Sequence, residues 1–409
     1  MKLLRHINRL AVVTDQAVVS GSALLASLFI ARSIGVEGYG RFSAAVLVLF
    51  LLLAVQQAFV AGVFQVNCTR LALHRRKAYT QAVLLGLLAL TALLVLLVFL
   101  FRQLPFAFVQ LFPAAAAMCV YVCAQLPADA VRRLLLAQSH YKTALVLDAI
   151  SSLLFLWLLF VQRHTLTVER ALLTSAFAVL PLLAAGVWLF GKPLRLRGMW
   201  RVALRMHFRQ GRWLFYTALL QWCSGNLLML ALSARTGAAA LGVLRLGQQL
   251  FGTFTLILQA AETYALPKAA ALATQSVKFA AGLRKMTATL LLMYVPFALL
   301  LCVFARPLLQ LIGGESALEG SSLIPALAAV YLLVTFGYSV RTALRSLHLN
   351  RLYFSGAVLS VVAASFALLI PGANALVIVA GLFAAQFFPL CYWLFILHHK
   401  HQLTWKSFI

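Results

Sequence analysis

ARSIGVEGYG, Ala31 to Gly40, stands between two apolar runs of membrane length and returns, with one gap, as ARTGAAALG, Ala234 to Gly242. Gly35 then aligns with Gly237 and Gly40 with Gly242, an offset of 202 residues in a chain of 409. Farther along, VRRLLLAQSHYK at Val131 to Lys142 aligns with VRTALRSLHLNR at Val340 to Arg351, an offset of 209. Pro181-Leu182 matches Pro389-Leu390 at an offset of 208, and WLF follows each pair a few residues on. Each identity is weak alone, but a common offset near half the chain predicts two copies of one unit. The expected organisation is a six-helix bundle over 1–190, a basic connector over 191–212 and a second six-helix bundle over 213–409.

The copies belong in a membrane. Residues are 64% hydrophobic and 10% charged, too apolar for a fold that must present a polar surface to water. Twelve apolar segments have spanning length, at about 11–32, 42–66, 80–101, 106–128, 143–161, 168–190, 213–233, 239–262, 286–305, 322–340, 353–370 and 374–397. A membrane barrel would instead alternate over segments of about ten residues. The expected fold class is therefore an all-α polytopic membrane protein, with about 12 transmembrane helices in two parallel-repeat six-helix bundles. An even number of crossings gives both copies the same orientation. A pseudo-two-fold axis along the membrane normal should relate them, the design of parallel-repeat transporters with substrate between the halves.

The net charge of +26 follows the loops. With the N-terminus inside, 26 of the 34 Lys and Arg residues fall on the cytoplasmic side and 8 outside, as the positive-inside rule requires. Both termini are expected in the cytoplasm, and the excess charge is orientation and contact with anionic membrane lipids rather than nucleic-acid binding. The connector Gly191 to Arg212 holds seven basic residues beside Trp200, Val202, Leu204 and Phe208, the pattern of an amphipathic helix lying on headgroups. The start MKLLRHINRL could open a signal peptide, but Asp15 and Gln16 interrupt an apolar run that continues to Ile30, so an uncleaved first span is expected. The six cysteines show no metal spacing.

Of the eight acidic residues, Asp15, Asp129, Asp148 and Glu262 lie in or near spans, where an ionisable group is costly enough to mark function. Asp129 precedes Arg132 and Arg133 at i+3 and i+4, which a local ion pair explains. In a hairpin turning near His140, Arg133 is read as level with Asp148, and a buried pair there would be functional or structural. Asp15 and Glu262 have no cation within a helical turn. Asp15, Asp148 and Glu262 are the candidate ion-coupling residues for H+ or Na+, with snorkelling at the span boundary the alternative for Asp15 and Glu262. Outside the cytoplasmic surplus, Arg32, Arg235 and Arg245 close or enter spans. Their planar forks suit pyrophosphate oxygens, and snorkelling to headgroups is the alternative. Gln56 and Gln57 in the second span and Gln248 and Gln249 in the eighth either line a wet cavity or join helices. With Arg133 these make the candidate substrate-binding set. Gly35, Gly38 and Gly40 read as a tight external turn, because no strand precedes them as a phosphate loop requires. No GxSxG, HExxH, Walker or DxD sequence is present, so no catalytic residue, metal or cofactor is expected and the chain is read as a non-enzyme.

At ARSIGVEGYGRFS, between spans one and two, the chain resembles the Wzx-type polysaccharide flippases of the MOP exporter superfamily, which also holds the MATE antiporters and lipid II flippases. VRRLLLAQSHYK after the fourth span and the Leu266-Pro267 break after the eighth are similar to that family as well. The resemblance implies two six-helix bundles around a cationic central cavity. It also implies movement of an undecaprenyl-pyrophosphate-linked oligosaccharide from the inner to the outer leaflet of the bacterial inner membrane, for O-antigen and lipopolysaccharide assembly, with ion coupling in some members. A polysaccharide polymerase and a chain-length regulator are the partners it suggests. Two rival readings stay open: a MATE-like antiporter of cationic drugs or metabolites, for which the arginine excess is unfavourable, and a membrane glycosyltransferase or polymerase, for which no external loop is long enough.

Overall fold

The structure, a computed structural model, describes residues 2–68, 73–103, 112–138, 140–190, 199–272, 275–347, 349–370 and 374–401. Every regular element among them is helical. Ten stretches are long and apolar enough to cross a membrane. The first, Thr14–Gln65, has 52 residues, and at ~1.5 Å per residue it far exceeds a bilayer core of ~30 Å, so it makes two crossings. Its break is one residue, Gly35, at φ 74° and ψ 172° inside the helix Lys2–Gln56. Ala115–Ala137 has spanning length too but carries Asp129, Arg132 and Arg133. With it, and with the first stretch counted twice, the described residues form the twelve crossings expected from hydropathy.

Two compact units divide the chain: Met1–Ile34 with Arg41–Leu219, and Gly35–Gly40 with Leu220–Ile409. In the first unit the helices on either side of Gly35 are followed by Leu73–Arg102, Ala115–Ala137, Tyr141–Val161 and Val168–Ala178. The last continues as Leu180–Phe190 after a break at Val179, where Pro181 removes a backbone donor. Phe64, Tyr79, Leu87 and Leu134 are buried together in this unit. The seventh span begins in Met199–Trp222 and passes through a π-turn, Cys223–Leu227, into Leu228–Thr236. The second unit continues with Ala238–Leu272, Ser276–Val303, Leu323–Ser346, Asn350–Ser365 and Ala375–His401. Its core gathers Phe279, Leu344, Trp393 and Leu397. Large apolar side chains such as Leu97, Trp157, Trp188, Leu299 and Phe395 remain exposed, which places lipid rather than water against those faces.

The duplication is written into the backbone. In the fourth-to-fifth hairpin the His140 N–H donates to the Leu135 carbonyl at 2.9 Å, and in the tenth-to-eleventh hairpin the Leu349 N–H donates to the Leu344 carbonyl at 2.9 Å. The capping residues have nearly the same dihedrals, φ −85° and ψ 51° at His140 against φ −83° and ψ 51° at Leu349. Gly237, like Gly35, breaks its helix at positive φ, 93° against 74°, a region that L side chains enter only with strain. The one-residue gap in the alignment also has a structural origin. A π-turn carries one residue more than the α-turn it replaces, so Cys223–Leu227 moves the offset from 202 ahead of it to 203 at Ala234 and Arg235. ARTG then loses that residue again before Gly237.

Two expectations are corrected, and the connector is described in part. Gly35 alone interrupts the helix, and Gly38 and Gly40 are helical, so the tight turn expected over the three glycines is confined to Gly35. The helix Ala238–Leu272 runs on through Pro267 instead of breaking at it, since a proline removes only one backbone hydrogen bond and a long helix can absorb that loss. Within the connector, 191–198 lie outside the described residues, and from Met199 the chain is one helix continuous with the seventh span.

Candidate functional site

The helical hairpin of the fourth and fifth spans sets the chemistry of the first unit. Its turn centres on His140, so Arg132 and Asp148, each eight residues from that centre, stand level with one another. Arg132 donates through Nε to Asp148 and through an Nη to Asp15 of the first span at 2.5 Å. Both carboxylate side chains are buried, at 3% exposure for Asp15 and 6% for Asp148, whereas Arg132 is 20% exposed. The cluster opens on a cavity of about 290 Å³ whose lining includes Ser22, Gln125, Arg132, Asp148, Ser151 and Ser175. Polar contacts fix its walls: Ser22 donates to Ser152 at 3.0 Å, and the Gln125 amide donates to both the carbonyl and the hydroxyl of Ser175 at 3.0 Å.

This geometry corrects the expected pairing of Asp148 with Arg133. Arg133 instead pairs with Asp129 one turn back on its own helix, Nε to Oδ2 at 2.6 Å. Neighbouring helix residues point about 100° apart, so only one of Arg132 and Arg133 can face the fifth span, and a hairpin centred on His140 selects Arg132. The signal was present in the sequence, but a half-residue difference in the turn's centre decides it.

Two carboxylates share one guanidinium here. With both ionised, the cluster carries one negative charge in excess, and Asp15 Oδ1 is buried without a hydrogen-bond partner among the described residues. A net charge at that depth is costly unless a cation, such as a proton or sodium ion, balances it. Asp15 and Asp148 thus come together. The side chain of Glu262, the third acidic candidate, lies outside the described residues.

The other candidates occupy settings of their own. Arg32 is exposed. Arg235 is exposed and donates to the Leu368 carbonyl at 2.9 Å, capping the 3-10 turn Phe366–Leu369. Arg245 is half-buried and donates to the Gln248 side chain at 3.1 Å, while the Gln248 carbonyl accepts from Tyr331 at 3.3 Å. Gln249 is half-buried, Gln57 is exposed, and Gln56 is buried, with neither amide atom hydrogen-bonded among the described residues. Arg132, Gln125 and the serines at 22, 151, 152 and 175 were not anticipated as site residues.

A family model described as "Polysaccharide biosynthesis protein" matches residues 29–321. No curated protein matches by sequence. Among solved structures the fold is similar to that of the lipid II flippase MurJ in an inward closed conformation, with 13% identity and a TM-score of 0.73 over 95% of this chain and 87% of that one. An inward-facing multidrug resistance MATE transporter of the MOP superfamily matches at 13% identity and a TM-score of 0.70, over 93% and 96% of the two chains. The MATE multidrug transporter DinF-BH matches at 17% identity and a TM-score of 0.64, over 100% and 96%. These likenesses show that the chain has the fold of the MOP superfamily.

Proposed function

The chain belongs to the polysaccharide biosynthesis protein family, and from that membership we propose that it is an ion-coupled flippase for a lipid-linked oligosaccharide. The cargo on this reading is an undecaprenyl-pyrophosphate-linked glycan carried from the inner to the outer leaflet of a bacterial inner membrane, where a polymerase of the same pathway takes it up. A pyrophosphate and a hydrophilic glycan cannot cross hydrocarbon unaided, because each unsatisfied polar group costs several kcal/mol there. The observation that carries the reading is the cluster of Asp15, Arg132 and Asp148, whose Arg132 and Asp148 line a cavity inside a unit of this fold. Binding a cation there neutralises the cluster and releasing it restores the charge, which gives a gradient a means of biasing two conformations. Of the candidate phosphate contacts, Arg245 is the best supported, being half-buried and oriented by Gln248. Arg133 is engaged by Asp129 and Arg235 by Leu368.

Reconstitution with a fluorescently labelled undecaprenyl-pyrophosphate oligosaccharide tests the proposal. Wild-type vesicles should flip the lipid, and an imposed proton or sodium gradient should change the rate. Asp15→Asn and Asp148→Asn, properly inserted, should retain at most slow flipping that no longer responds to the gradient. Absence of flipping by wild-type protein under every gradient, with uptake of a cationic dye in its place, would replace the flippase by the MATE-like antiporter.

A further inference from the structure

The second unit holds a cavity that corresponds at several lining positions to the one beside Asp15 and Asp148, and its charges differ. It has a volume of about 350 Å³, and Gln221, Ser224, Arg341, Tyr353, Ser360 and Gln386 are among its lining residues. The repeat offsets are 202 as far as the first residues of the π-turn Cys223–Leu227, 209 through the hairpin and 208 in the last span. They carry Ser224 onto Ser22, Arg341 onto Arg132, Ser360 onto Ser151 and Gln386 onto Ala178, all four in the lining of the first cavity. The acids are not copied. Asp148 corresponds to Ala357, which lines the second cavity, and Asp15 corresponds to Thr217. Among the described residues no carboxylate pairs with Arg341, whereas Arg132 pairs with two.

Arg341 is nevertheless held in place. One Nη donates to the Val334 carbonyl at 3.2 Å, and the guanidinium carbon lies 4.6 Å from the centre of the Tyr338 ring. The Val334 bond takes one of five N–H donors in a planar fork that matches oxyanion geometry. The surrounding walls are neutral and are joined by contacts of their own. The Gln221 amide donates to the Tyr353 hydroxyl at 3.2 Å, the Tyr353 ring stacks on Trp393 at 5.7 Å, and the Trp393 indole donates to the Leu352 carbonyl at 2.9 Å. A cation at this depth needs a counter-charge. In the first unit the protein supplies two acids for it, and in the second the same position faces a lined cavity.

We propose that the cavity at Arg341 is a binding site for a phosphate-type oxyanion, which takes the place that Asp148 and Asp15 take beside Arg132. The site stands apart from the flippase reading, since it binds the oxyanion whatever the cargo is. The phosphate is carried either by an anionic lipid headgroup or by a soluble or cargo-borne pyrophosphate.

Arginine-specific labelling with phenylglyoxal, read residue by residue by peptide mass spectrometry on the full chain in nanodiscs, tests it. In phosphatidylcholine discs, inorganic pyrophosphate should slow labelling of Arg341 roughly ten-fold while leaving the exposed Arg345 on the same helix unchanged. Protection in phosphatidylglycerol discs before any pyrophosphate is added assigns the site to a lipid headgroup, and protection only on addition assigns it to the soluble ion. Ala357→Asp places an acid where the first unit already has one, so the folded variant should keep Arg341 and lose the protection by either source. Wild-type protein without selective protection from either source, or Ala357→Asp protected as well as wild type, overturns the proposal.

Discussion

Arg132 reaches carboxylates that come from two other spans, and removing it would leave Asp15 and Asp148 buried side by side without a counter-charge. Breaking a buried ion pair from one side costs about 3–5 kcal/mol, so Arg132→Met should lower the melting temperature in detergent markedly. Asp15→Asn leaves the Arg132–Asp148 pair balanced and should cost much less, and adding Asp15→Asn to Arg132→Met should recover part of the loss. Equal melting temperatures for wild type and Arg132→Met would mean that the cluster contributes nothing to the fold. The same scale explains the paired glycines at 40 and 242. Within the second unit, a Cβ on Gly40 would lie 1.8 Å from the Ala238 carbonyl oxygen, and one on Gly242 would lie 2.1 Å from the Val36 carbonyl oxygen. Their recurrence was legible in the sequence. Its cause was not, because close backbone approach leaves no trace in composition.

The helix Met199–Trp222 has two faces, and the sequence exposes only one of them. Arg201, Arg205 and Arg212 with the exposed Leu204 and Phe208 read directly as an interfacial helix. The opposite face carries Ala203, His207 and Gly211, buried at four-residue spacing, and its role depends on partners far off in the chain. His207 Nδ1 lies 2.7 Å from the Phe59 carbonyl, in the π-turn Gln57–Ala61, and Nε2 lies 2.7 Å from the Tyr79 hydroxyl. A carbonyl only accepts, so Nδ1 carries the proton and Nε2 accepts from Tyr79, which describes a neutral imidazole. Burial lowers the His207 pKa from its ordinary value, and the Phe59 hydrogen bond opposes that shift. The unfolded chain therefore takes up the proton at higher pH than the folded one. The stabilising contribution is complete above the unfolded value of about 6.5 and declines as pH falls below it. Melting temperatures measured from pH 7.5 down to about 5 should decline in wild type, and His207→Gln should remove that component of the decline. Parallel pH profiles for the two proteins would show that His207 is not the group responsible.

Across the whole molecule, hydropathy and the half-chain offset were enough for twelve crossings and for the duplication, because both are periodic properties of the sequence. The chemistry was harder to place, since the charge count that orients the chain also conceals part of it. Arg132 and Arg341 both belong to the 26 cations assigned to the cytoplasmic side, yet each lines a cavity. A loop tally cannot separate a guanidinium that orients a helix end from one that turns inward, because the difference lies in which side of the helix the residue occupies. Orientation itself remains a strong expectation of that tally, and it decides which leaflet each helix end serves. Two exposed positions on opposite sides should separate under a membrane-impermeant maleimide, in protein freed of its six native cysteines. Thr165, between Tyr141–Val161 and Val168–Ala178, is an external position on the N-in reading, and Gln275, ahead of Ser276–Val303, is a cytoplasmic one. Thr165→Cys should therefore label in intact spheroplasts, and Gln275→Cys only after they are permeabilised. The reverse pattern would invert the molecule. It would also mean that 26 positive charges face outward, against the rule that governs nearly every helical membrane protein.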